Sequence, residues 1–341
     1  MTLLRDLRRY GAQVLAPLVA VAALLSACGG GTSQVQVFVP ARLLVLGDEA
    51  SMLVDDGIDD GKDDGFKYSI NDRRGTADGK CLQAPTIAQL VAANYGMVFA
   101  ACNPTKATKI DAIIHARLAA KVDDATTGLK AQIDGIGGVG STDMLLVMIG
   151  ANDMIDLYER KRDGLMTTAQ ATAEAIRRGR VAATQINRIL GTGARALVVT
   201  IPDMGKSPYA VTANKADPGA AALMSTLSTE YNAALRLGID ATDFDGRNYG
   251  LVLADDVMAA IDKFPSSFLS SPANATEAAC PTVTADKCVL ADLDSGTPTT
   301  LVDTANRATN SYLWASDRHM GPTAHAQIGS QAVSRAVNNP F

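Results

Sequence analysis

Three short polar clusters stand where apolar runs end or a final helix begins. Gly47-Asp48-Glu49-Ala50-Ser51 follows Leu43–Leu46, and Gly150-Ala151-Asn152-Asp153 follows Met144–Ile149. Ser316-Asp317-Arg318-His319 comes just before a last helix that carries His325. Hydroxyl, carboxylate, amide and imidazole are the groups from which nucleophilic or general acid–base catalysis is assembled. The chain has 3 His, and His319 is the one set among such groups. His325 reads as a helix-face residue, and His115 has no polar context. Asn152 also fits a helix cap and Asp48 a turn residue, so each cluster has a structural reading beside a chemical one.

These places, in this order, resemble the SGNH (GDSL) family of esterases and lipases, from about Leu43 to Phe341. The resemblance implies a serine nucleophile directly after Gly-Asp, with a glycine N–H and an Asn amide as oxyanion donors. It also implies a His base three residues after an Asp. Asn152 and His319 take their places. Glu49 holds the nucleophile position. Ser316 stands where the Asp belongs, with Asp317 one place late as a possible orienter. The oxyanion glycine aligns best with Ala119, whose N–H is still able to donate. Ser51 can attack only if the turn shifts by two residues, whereas Glu49 can direct a water or pair with His319⁺. Gly-Asp-Glu, with the Asn338-Asn339-Pro340-Phe341 ending, resembles an exported bacterial lipoprotein subset described as GDSL-type lipases, esterases or phospholipases. The implied function is ester hydrolysis on an acyl lipid or glycan, with no metal or organic cofactor. The alternative is a catalytically inactive relative that binds a glycan, lipid or envelope partner.

The elements that would position these residues alternate. Continuous apolar runs at 42–46, 97–102, 144–149, 196–201 and 251–254 suit parallel strands covered on both faces. Helix-length segments lie between them at 85–95, 168–190, 218–237 and 322–337, several closed by Gly. The expected fold is a three-layer α/β/α sandwich, flavodoxin-like, around a mainly parallel five-stranded sheet. In such sheets ligands bind beyond the carboxyl ends of the strands, where the first two clusters stand. The Ser/Thr/Pro-rich stretch from Phe264 to Asn310 falls outside the alternation and reads as an excursion over that face. The acidic run from Asp55 to Gly65 lacks EF-hand order and reads as a solvated turn rather than a calcium loop.

Of 5 Cys, one is odd. Residues 1–27 carry a basic start, an apolar run broken by Pro17, and Leu25-Ser26-Ala27 before Cys28. That is a signal peptide resembling a lipobox, which makes Cys28 the lipidated residue, 28–36 a tether and 37–341 the hydrolase-like domain. The expected location is the bacterial envelope, lipid-anchored, in the outer membrane. Cys81, Cys102, Cys280 and Cys288 remain, an even set that suits disulfides in an exported chain. Neighbouring members are expected to pair, and no CxxC spacing suggests zinc. Removing residues 1–27 takes three Arg and one Asp, moving the net charge from −5 to about −7. An acidic chain without a basic patch excludes nucleic acid as a partner. A hydrophobic fraction of 47% with 20% charged residues excludes disorder.

Overall fold

The computed structural model describes residues 38–55, 65–74, 79–292, 296, 298–302 and 309–338. The signal segment, Cys28 and its tether, residues 56–64 of the acidic run and the last three residues lie outside them.

Five parallel strands form the central sheet: β1 (Arg42–Gly47), β2 (Ala112–Ile114), β3 (Asp143–Met148), β4 (Arg195–Val199) and β5 (Tyr249–Val252). Their spatial order is β2-β1-β3-β4-β5, the flavodoxin-like order. β1 pairs with β3 from Arg42–Asp143 to Gly47–Met148. Every residue of β3 is buried, as a strand covered on both faces requires.

Alternate residues feed the two faces. Leu44, Leu46, Leu145, Val147, Ala196 and Val198 join one core with the helices Leu129–Asp134, Ala151–Arg162, Thr168–Leu190 and Ala220–Gly238. The opposite face is covered by Pro322–Asn338, which packs on β4 and β5 and against the helices Ile87–Asn94 and Ala254–Lys263. The architecture is therefore three-layered, as the sequence implies.

One expected strand is corrected. Met97–Cys102 does not enter the sheet beyond a single bridge; the edge strand beside β1 is Ala112–Ile114. The apolar run turns back on itself, with the Cys102 N–H donating to the Phe99 carbonyl, and Cys102 is bonded to Cys81. Val98 still reaches the strand, because its N–H donates to Asp111 Oδ1 and its carbonyl accepts from the Ala112 N–H.

The excursion after the helix at 254–263 builds its own small core. Asn274–Ala278 pairs with Tyr312–Trp314, and Val289–Asp292 pairs with Asn71–Arg73. Ile70, Leu290, Leu301 and Tyr312 pack around the buried Cys280–Cys288 disulfide. Disulfides of this kind form and persist in oxidising surroundings. Among the described residues, no helix is long and apolar enough to cross a membrane.

Candidate active site

The flavodoxin-like strand order reverses between β1 and β3, so a crevice opens where their carboxyl ends diverge. Gly47 ends β1 with φ +136°, and a Cβ there would lie 1.8 Å from the Met148 carbonyl oxygen. Only glycine lets the chain leave the sheet this close to β3. Gln132 holds the exit from below, accepting from the Gly47 N–H at 2.8 Å and donating to its carbonyl at 2.8 Å. Asp48 then caps a single turn, Glu49–Ser51, accepting from the Ala50 N–H at 3.1 Å.

That turn sends Glu49 inward, where it is 5% exposed. Its carboxylate meets groups from three separate elements. Oε2 accepts from the Ala119 N–H at 2.8 Å and from Asn152 Nδ2 at 3.0 Å. Oε1 lies 3.1 Å from His319 Nε2. A carboxylate only accepts, so Nε2 bears the proton. On the other side of the ring, Ser316 Oγ lies 2.7 Å from Nδ1. Ser316 Oγ also accepts from the His319 N–H at 3.3 Å, and its own proton serves Nδ1 of a neutral ring at 2.7 Å, with Asp317 Oδ1 a longer alternative at 3.4 Å. His319 is thus held at both nitrogens, with the Tyr68 ring centroid 5.6 Å away.

Each donor is placed by local structure. Ala119 has φ +54°, a left-handed conformation that favours glycine, so an alanine occupies backbone shaped for the expected glycine. Asn152 is the second residue of its helix and caps nothing; its amide also donates to the Ala120 carbonyl at 3.3 Å. Next to it, buried Asp153 accepts from the Val122 N–H and pairs with Arg178 at 3.0 Å, tying the Ala119–Val122 turn to the helix at 168–190. Burial pushes the Asp153 carboxyl up to about 7 against the pull of Arg178.

Two adjacent carboxyls are driven apart. Burial, then the Glu49 charge, holds Asp48 well above the ordinary carboxylate range. Burial also acts upward on Glu49. The hydrogen bond and charge of His319, with the Asn152 amide, outweigh it and leave Glu49 below its ordinary value.

The sequence-derived candidates divide. Ala119, Asn152 and His319 converge on the Glu49 carboxylate. Ser51 does not join them: it is 5% exposed, its N–H donates to the Asp48 carbonyl, and no hydrogen bond links it to His319. Asp317 does not touch the His319 ring. It pairs with Arg318 at 2.9 Å, its Oδ1 lies 3.4 Å from Ser316 Oγ, and Arg318 lies over the Tyr209 ring. Ser316, in the expected register, makes the contact instead. Tyr68 and Gln132 were not legible as site residues, since neither lies in the clusters at 47–51, 150–153 or 316–319. Among the described residues, no group of three or more His, Cys, Asp or Glu is placed to hold a metal.

A groove of about 1150 Å³ lies beside this centre and ends at Asp317. Tyr209, Tyr312, Arg162 and Glu277 are among its walls, and Glu49, Asn152 and His319 are not.

No protein-family model matches the sequence, and no curated protein matches it. Among solved structures the chain is similar to LAE5, an alpha/beta hydrolase enzyme from the metagenome of Lake Arreo, Spain. The identity is 15% over 88% of this chain and 95% of that one, with a TM-score of 0.39, a likeness too slight to carry an argument.

Proposed function

We propose that the chain is an SGNH/GDSL-like envelope protein that binds an acyl-lipid or glycan ligand without hydrolysing it. The observation that carries this reading is the Glu49 carboxylate. A serine esterase needs its hydroxyl beside the base nitrogen, and Glu49 Oε1 stands there against His319 Nε2. It also needs free donors for the developing oxyanion, and Glu49 Oε2 takes both of them. The side chain sits as a carboxylic acid product would, joined to the backbone and unable to leave. Nor does Glu49 suit the role of base toward water. An effective base has a pKa near the working pH, and His319 holds this one below the ordinary carboxylate value. The groove ending at Asp317 supports binding as the retained function. Lipid attachment at Cys28 and residence in the outer membrane complete the proposal, and the two disulfides suit that compartment.

A second reading, an esterase, lipase or phospholipase-like hydrolase, is favoured by one observation: Ala119, Asn152 and His319 all retain working positions. In that reading Glu49 swings out and Ser51 attacks, or Glu49 directs a water. Aryl esters of graded acyl length, offered to the purified mature chain beside His319→Ala and Ser51→Ala, separate the two. Binding without turnover gives equal background rates in all three proteins. Turnover lost in both variants establishes the hydrolase with Ser51 as its nucleophile.

A further inference from the structure

Glu49 at Nε2 and Ser316 at Nδ1 hold the His319 ring by its edge. Bonds to ring nitrogens run near the ring plane, so this pair leaves the ring able to rock about the line joining them. The last side-chain torsion of histidine is broad and sets that plane only weakly. A third neighbour has to resist the rocking. Tyr68 is the aromatic ring beside His319, its centroid 5.6 Å away at an interplanar angle of 45°, within the range in which aromatic pairs attract. Tyr68 is half-buried, and the His319 side chain is 13% exposed.

The segment that carries Tyr68 is tied to both chains that meet at the centre. On one side Phe66–Lys67 pairs antiparallel with Leu53–Val54, which follows the Glu49–Ser51 turn. On the other, Ser69 Oγ donates at 2.9 Å to the carbonyl of Met320, the residue after His319. Asn71 closes the segment on itself, accepting from the Lys67 N–H at 2.8 Å and donating to the Lys67 carbonyl at 2.9 Å. Both disulfides supply anchors. The Cys81 carbonyl accepts from Lys67 Nζ at 3.2 Å, and the Cys288 carbonyl accepts from the Asn71 N–H at 2.7 Å. A side chain locked in this way can hold a neighbour to a fixed geometry. We propose that Tyr68 is a positioning residue that fixes the plane of the His319 ring, held in place by the segment 66–71 and its disulfide-linked anchors. The role concerns the ring alone, so it holds whether the centre binds a ligand or hydrolyses one.

NMR of the mature protein with labelled imidazole nitrogens tests this through the His319 Nε2–H proton. That proton exchanges with water only when the ring leaves Glu49, so its exchange rate reports the opening. Tyr68→Ala is expected to speed exchange about 5-fold, the equilibrium weight of one lost aromatic contact, and to blend the two nitrogen shifts. Tyr68→Phe keeps the ring and should stay within about 2-fold of the wild type. Ser69→Ala touches no part of the imidazole, yet should speed exchange about 5-fold through the lost tie to Met320. Ile189→Val, in the core on the opposite face of the sheet, lowers overall stability and should leave His319 exchange unchanged. Unchanged exchange in Tyr68→Ala or in Ser69→Ala overturns the proposal. So does Tyr68→Phe as fast as Tyr68→Ala, or equal acceleration in Ile189→Val, which would trace the exchange to overall unfolding.

Discussion

Glu49 Oε2 lies 2.8 Å from the Ala119 N–H, the bond by which a side chain of this protein occupies its own anion-binding crevice. The acceptor comes from the turn after β1 and the donor from the left-handed turn after β2. Asn152, after β3, closes the same oxygen from the third side. The Ala119 N–H and the Asn152 amide therefore already share an acceptor within the chain.

If the carboxylate is a built-in ligand, removing it leaves a site for an external one. Glu49→Ala strips the acceptor from two buried donors and from His319. It is expected to cost about 2–4 kcal/mol in urea unfolding, within the range for leaving buried polar partners unmet. Acetate should then raise the unfolding midpoint of the variant and leave the wild type unmoved, since only the variant offers it a site. A variant indifferent to acetate would show that the crevice does not recognise carboxylates.

Ser316 is expected to hold His319 rather than act through Asp317. With Glu49 on Nε2 and Ser316 on Nδ1, the neutral ring should be a single tautomer protonated at Nε2, readable from imidazole nitrogen shifts in NMR. Ser316→Ala should cost about 1 kcal/mol, the net worth of one hydrogen bond, and blur that signature. Asp317→Ala should leave the signature intact. The reverse pattern would restore Asp317 as the orienter.

His325 gives the pH dependence a definite sign. It is 1% exposed with neither ring nitrogen partnered among the described residues, and burial, helped by the Lys67 and His319 charges, pushes its pKa down to about 3. Its unfolded value is about 6.5, so between these values the unfolded chain binds the extra proton. The contribution is complete above about pH 6.5 and shrinks as pH falls, by about 2 kcal/mol between pH 7 and pH 5. His325→Phe should flatten that part of the urea-midpoint profile and should not destabilise the protein at pH 7. An identical slope in the variant would assign the acid sensitivity elsewhere.

What the sequence made legible follows from how local each signal is. β3 and β4 are continuous apolar runs and announce themselves, and the helix at 168–190 lies where its Thr and Gly boundaries place it. The three-residue strand Ala112–Ile114 is too short to compete with the more apolar Met97–Cys102, and the turn that removes the latter from the sheet is a tertiary event. In the site, the family spacing located Glu49, Ala119, Asn152 and His319. It did not reveal that Ala119 and Asn152 converge on the same Glu49 oxygen, because that depends on how three loops meet beyond the sheet. Asp317 drew attention as the nearest carboxylate in sequence, but its position in the turn directs it to Arg318, and the shorter Ser316 reaches the ring.

In the proposed function Glu49 closes an otherwise competent acyl-transfer frame. The most direct measurement is the rate of short-chain aryl ester hydrolysis by the wild type, by Glu49→Ser, and by Glu49→Ser combined with Ser316→Asp. The wild type should not exceed a His319→Ala control. The double variant places a serine beside His319 and frees both donors, so its rate should rise about 100-fold or more over the wild type, the scale of a restored oxyanion contact. Wild-type turnover that disappears in Glu49→Ala or His319→Ala would contradict the account, because the carboxylate would then be working in catalysis rather than closing the site.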